Sequence, residues 1–93
     1  MHQLLDNVHG LPGAVQYSAR YPMPDTHARI LFAWGNFNDA TVSVEISPNG
    51  REWFPLQTFT RKGWMRLELA VGVTVRVGVN KGSQDTAISA SIV

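Results

Sequence analysis

The sequence predicts an all-β fold: a two-sheet antiparallel β-sandwich of jelly-roll or immunoglobulin-like type, with about seven strands. Three observations predict it. Val, Ile and Thr supply 20 of the 93 residues, and β-branched side chains suit a pleated, half-buried surface. Apolar residues recur at every second position, the period of a strand with one face in the core and one in solvent. Clusters of Gly, Pro, Asn and Asp separate these runs, and no helical period of useful length interrupts them.

Residues 1–12 carry Leu4, Leu5, Val8 and Leu11 without strand alternation. They are expected as an N-terminal arm, with room for a short helix over residues 4–9, lying across their own domain or against a neighbouring subunit. Residues 13–93 are assigned to a single sandwich domain, whose first strand falls within residues 14–19. Residues 20–27 are expected as a stiff exposed loop around Met23, because Pro22 and Pro24 cannot donate to a ladder. Residues 28–34 form the next strand. Thr41–Ser47 sends Val42, Val44 and Ile46 inward and Ser43 and Glu45 outward. It ends at Pro48-Asn49-Gly50, a turn signal, beyond which residues 53–59 return. Residues 64–70 supply another strand. Residues 73–80 alternate most clearly, with Val73, Val75, Val77 and Val79 opposite Thr74, Arg76, Gly78 and Asn80. Residues 87–93 close the fold.

Eight Lys and Arg against seven Asp and Glu leave a formal charge of +1. That balance argues against binding nucleic acid or an anionic membrane by charge neutralisation. The absence of cysteine excludes disulfides and thiolate zinc sites. No signal-peptide pattern occurs over residues 1–10, and the apolar runs fall far short of the roughly 20 residues that cross a bilayer as a helix. A domain this small buries only about 60–65% of its unfolded surface, which leaves it open to stabilisation by association.

No catalytic constellation emerges, and neither an enzyme nor a cofactor is expected. His2, His9 and His27 lack the close pairing of zinc ligands, so no metal site is expected. There is no nucleophile elbow or Gly-rich phosphate loop, and Gly10, Gly13 and Gly35 read as turn residues. Glu45, Glu52 and Glu68 read as solvated charges. Trp34, Trp53 and Trp64 are expected to pack into the core, with a sugar-stacking platform as the alternative. Arg61, Lys62 and Arg66 read as a solvated loop, or more sharply as a patch for an acidic protein surface.

The run from Gly35-Asn36-Phe37 through Thr41–Ser47, Pro48-Asn49-Gly50 and Trp53-Phe54-Pro55-Leu56 resembles a segment of short structural proteins of tailed bacteriophages. That segment has a glycine, an aromatic residue, a strand ending in Ser, a Pro-Asp/Asn-Gly turn and a Trp opening the next strand. Residues 73–79 and 87–93 are similar to the second half of such proteins, so the likeness covers about two thirds of the chain. Sugar-binding sandwiches carry a related hairpin. The resemblance implies a capsid decoration, or cement, protein on the outer surface of the virion head, usually trimeric, with the major capsid protein as partner. Tail or neck positions and a carbohydrate- or receptor-binding module are the alternatives. Leu4, Leu5 and Val8 in the arm, and Tyr21, Pro22 and Met23 in the loop, are the expected contacts, as apolar residues outside the predicted core.

Overall fold

The computed structural model describes residues 1–10, 13–83 and 85–93. Among them the chain forms nine strands and no helix: β1 His2–Val8, β2 Gln16–Tyr17, β3 Tyr21–Pro22, β4 Arg29–Asn36, β5 Thr41–Ser47, β6 Phe54–Phe59, β7 Gly63–Leu67, β8 Thr74–Asn80 and β9 Ala87–Ile92. They build a two-sheet antiparallel β-sandwich. Sheet A has the order β1-β9-β4-β7; sheet B has the order β2-β8-β5-β6, with β3 also paired to β8.

β2 and β3 are two ends of one interrupted edge strand. Both run antiparallel to β8, through Tyr17 opposite Gly78 and Tyr21 opposite Val75. In the interruption Ser18 keeps the ladder satisfied: its N–H donates to Val77 O at 2.8 Å and its Oγ accepts from Val77 N at 3.0 Å. With these two counted as one, the chain has eight strands paired first with eighth, second with seventh, third with sixth and fourth with fifth. Such a nested hairpin, rolled so that alternate pairs fall in alternate sheets, is a jelly roll.

The valine alternation becomes the core. Val42, Val44, Val75, Val77 and Val79 of sheet B face Leu31, Leu67, Ile88 and Ile92 of sheet A, and all nine are buried. Each such side chain contributes roughly 1.5–3 kcal/mol relative to exposure. Gly35 sits inside β4 rather than in a turn. It adopts φ +124°, and a Cβ there would collide with the Ala87 carbonyl of β9, so only glycine lets the two strands approach.

Two expectations for the chain's first quarter need correction. Residues 2–8 are neither helix nor arm but the edge strand β1, with Leu4 and Leu5 in the core and Val8 packed against it. The alternation is hidden by register shifts between Gln3 and Leu5 and between Leu5 and Val8. A bulge puts two consecutive residues against one partner residue, which lets adjacent leucines both bury; Asn7, at φ +52°, takes up the second irregularity. Leu11 and Pro12, the end of the expected arm, lie outside the described residues.

The proline segment is exposed at Arg20, Pro22, Pro24, Thr26 and His27 as expected, but it also carries the short edge strand β3 and turns Met23 into the core. Met23 is only 1% exposed, and its backbone continues the β3 pairing, donating to Val73 O at 2.9 Å and accepting from Gly72 N at 3.0 Å. Pro22 is tolerated because β3 is an edge strand, where a missing donor leaves no ladder bond unmade.

The outcome that separates a core strand from an arm is the stability of Leu5→Ala. Truncating this buried leucine should cost about 2–5 kcal/mol in chemical denaturation, whereas an arm residue would change the midpoint by almost nothing.

Candidate functional site

The outer faces of the two sheets differ in kind. On sheet B Arg76, Tyr17 and Trp53 occupy one another, while Phe54 and Leu56 of the edge strand β6 stay 54% and 40% exposed. Arg76 of β8 stands opposite Glu45 of β5, and its Nε donates to Glu45 Oε1 at 2.7 Å. Its guanidinium lies between two rings, 3.8 Å from the centroid of Tyr17 and 4.0 Å from that of Trp53. Arg20 covers Trp53 as well, at 5.4 Å. Stacking of this kind contributes about 0.5–1 kcal/mol at exposed sites and more where solvent is excluded. Tyr17 in turn lies close over Gly78. The turn before Trp53 is held by side chains: Ser47 Oγ accepts from Gly50 N at 2.7 Å, and Asn49 Oδ1 accepts from Arg51 N at 2.8 Å. Trp53 is thus half-buried under arginines rather than plugged into the core.

On sheet A the outward positions of β4 are Ile30, Phe32 and Trp34, which are 38%, 39% and 40% exposed. Beside them on β7 stands Trp64, directly opposite Phe32 in the ladder and 64% exposed. On the other side β9 presents small residues, with Ser91 opposite Phe32 and Ser89 opposite Trp34. Large rings flanking serines leave a depression of about 590 Å³, lined by Phe32, Trp34, Trp64, Ser91, Val93 and Met1, with Lys62 at the same site. This lies in the size range of sites that bury small ligands or anchoring side chains. Its lining is almost wholly apolar, and a contiguous exposed apolar patch of this kind marks a docking surface.

Trp34 and Trp64 therefore correct the expectation of core packing. The narrow interior takes Leu31 and Ala33 from β4, and the bulkier alternate set points to solvent. The signal was present: residues 30–34 are apolar without a break, so whichever set entered the core, the other had to lie outside.

The six residues expected to contact a partner are placed otherwise. Leu4, Leu5 and Met23 are buried, Val8 and Tyr21 pack partly against the core, and Pro22 alone is exposed. The premise that they lie outside the core does not hold. Arg61, Lys62 and Arg66 are exposed as expected, and Arg66 pairs with Glu68 at 2.6 Å. Ile30, Phe32, Ser91 and Val93 were not singled out in the sequence.

The histidines have separate surroundings. His9 Nδ1 lies 2.9 Å from Thr86 O, the His2 ring packs tilted against Tyr21 with centroids 4.7 Å apart, and His27 sits 3.7 Å from Asp25. Among the described residues no three His, Asp or Glu gather as a metal site would require. Asp25 accepts from both terminal nitrogens of Arg29, at 2.7 and 3.0 Å, and from His27 N at 2.9 Å. The Arg29 hydrogen bonds, then the backbone one, hold its pKa down at about 2 from an ordinary 3.8. This cluster pins the entry to β4 on a solvent-exposed rim.

The architecture is that of a jelly-roll sandwich whose sheet A carries a contiguous cluster of exposed aromatic side chains. Comparison with protein-family models, curated proteins and solved structures finds no match.

Two outcomes check this geometry. Trp64→Phe should remove the largest share of acrylamide-quenchable fluorescence and Trp53→Phe the smallest; equal shares would contradict the placement of the two rings. Asp25 has a folded-state pKa below its unfolded one, so its contribution is complete above pH 3.8 and is lost as the pH falls through about 2. Asp25→Asn should therefore flatten the melting-temperature profile in that interval, read by circular dichroism, and leave its shape unchanged near neutrality.

Proposed function

We propose that this protein is a non-enzymatic structural protein of a tailed-phage virion, a capsid decoration protein that docks on the assembled head through the outer face of sheet A. The observation that carries the docking surface is the uncovered cluster of Phe32, Trp34, Trp64 and Val93 around a shallow depression. The resemblance of the hairpin around Pro48-Asn49-Gly50 supports the virion assignment, and a jelly-roll sandwich suits the role. Aromatic anchors in the centre of a patch, surrounded by a polar rim, are what protein interfaces use for affinity. The rim here includes Lys62 and Arg66, which fits an acidic partner surface.

Such a protein acts by mass action: binding the assembled shell and not its free subunits stabilises the shell, without any reaction. A trimer spanning several capsomers, as the resemblance implies, would multiply the effect through high local concentration. The second reading, a carbohydrate-binding module, is favoured by the 64% exposure of Trp64. Sugars, however, present hydroxyls all round, and stacking platforms need several polar partners beside the ring; this depression offers few.

The test is co-sedimentation with heads of the phage that encodes the protein. Wild-type protein should pellet with heads, and Trp64→Ala or Phe32→Ala should weaken binding about tenfold or more in protein that circular dichroism shows to be folded at the assay temperature. Undiminished binding by both variants would remove sheet A from the interface.

A further inference from the structure

The depression on sheet A contains one polar group that the fold leaves unused. Ser91 is 1% exposed, and its Oγ is the one buried side-chain polar atom among the described residues that has no hydrogen-bond partner. Its neighbours are committed elsewhere. Gln3, opposite it on β1, turns its amide to donate to Leu5 O at 3.0 Å. Ser89, two residues earlier on the same face, accepts from Asn7 N at 2.9 Å. One serine of the pair is thus satisfied within the fold, and the other lines the cavity. An unpaired buried hydroxyl is unfavourable, so an occupant that pairs with it supplies the partner that the fold does not.

We infer that this cavity is the anchor site for a phenol ring, a tyrosine side chain of the docking partner, whose hydroxyl pairs with Ser91 Oγ while its ring packs among Phe32, Trp34 and Trp64. The inference rests on the proposed reading of this face as a protein-docking surface and specifies what enters it. The walls select a flat apolar body, which aromatic edges and faces contact favourably. The floor selects a single hydrogen-bonding atom. Lys62 at the same site makes no ion pair among the described residues, and an ammonium only donates. A phenol oxygen can donate to Ser91 and accept from Lys62, whereas an indole N–H can only donate and a phenyl ring leaves Ser91 unpaired. A pyranose would bring several hydroxyls into a cavity with one buried partner for them.

The probes are p-cresol, the tyrosine side chain itself, with toluene and methyl β-glucopyranoside for comparison. Each is titrated into the full-length protein while the indole N–H signals of Trp34 and Trp64 are followed by NMR. The expected result is saturable shifts of these two signals, with p-cresol bound about 5–10-fold more tightly than toluene, the contribution of one hydrogen bond. Ser91→Ala should abolish that preference while leaving toluene binding intact. The same variant should keep or raise the melting temperature of the free protein, because it deletes a hydroxyl that has no partner; a lowered melting temperature would mean that Ser91 serves the fold, and the inference would fall. Equal affinity for p-cresol and toluene, or a preference that survives Ser91→Ala, would overturn it. So would shifts with the glucopyranoside and none with p-cresol, which would favour a sugar platform. If p-cresol fails while Trp64→Ala still weakens head binding, the docking face stands and only the phenol anchor is lost. If p-cresol binds as expected while head binding ignores both Trp64 and Phe32, the anchor site stands and its assignment to the head is lost.

Discussion

Four nested antiparallel pairings, closed by the turn after Ser47, are the constraint on which the rest of the molecule depends. Ser47 is fully buried, and its hydroxyl collects the N–H groups of Asn49 and Gly50, so the turn is fixed by hydrogen bonds local to it. From there Ile46 meets Phe54, and the two halves of the chain run back alongside each other until His2 meets Ile92. Each pairing spans more sequence than the one before and depends on it for register. Because a slip of one residue would turn every valine of β8 outward, the alternation of the central strands and the nesting of the pairs enforce each other.

What could be read from the sequence follows the same division. Thr41–Ser47 and the 73–80 run lie in the middle of sheet B, flanked on both sides, and their alternation is undisturbed. Legibility fails at the edges. β1 is bulged and β3 carries a proline, and both departures are what an edge strand tolerates and a central strand does not. Their apolar residues therefore looked like surplus while they were core. Met23 is buried in the core and Val8 packs partly against it. Nine strands in place of about seven is the same effect, since β1 and the β2–β3 interruption supply the difference.

The site was half legible. Trp34 and Trp64 stood out as residues, but their face did not, because β4 is apolar on both sides and period alone cannot say which set enters. Volume settles it: the gap between sheets already holds valines from β5 and β8, and it accepts Leu31 and Ala33. Trp53 shows the contrary case. Its ring is also on an outer surface, yet Arg76 and Arg20 cover it, so an aromatic residue outside the core is not by itself a binding feature. Trp53 is covered and Trp64 is not, and no property of the local sequence around either tryptophan carries that difference.

Ser91 extends the point from side chains to single atoms. Its identity as a small polar residue in a strand reads as unremarkable solvent-face chemistry, yet Ser89, two residues before it, is also buried, with its hydroxyl accepting from Asn7 N. Ser91 is instead enclosed on the sheet between β1 and β4, with Gln3 turned aside and Phe32 opposite. A domain of 93 residues has a total stability of roughly 5–15 kcal/mol, so an unpaired hydroxyl is a considerable fraction to forgo. Alanine would fill the same space without that cost. In the docking inferred above, the partner for this serine arrives from outside, which would couple the docking surface to a particular chemistry rather than to hydrophobicity alone.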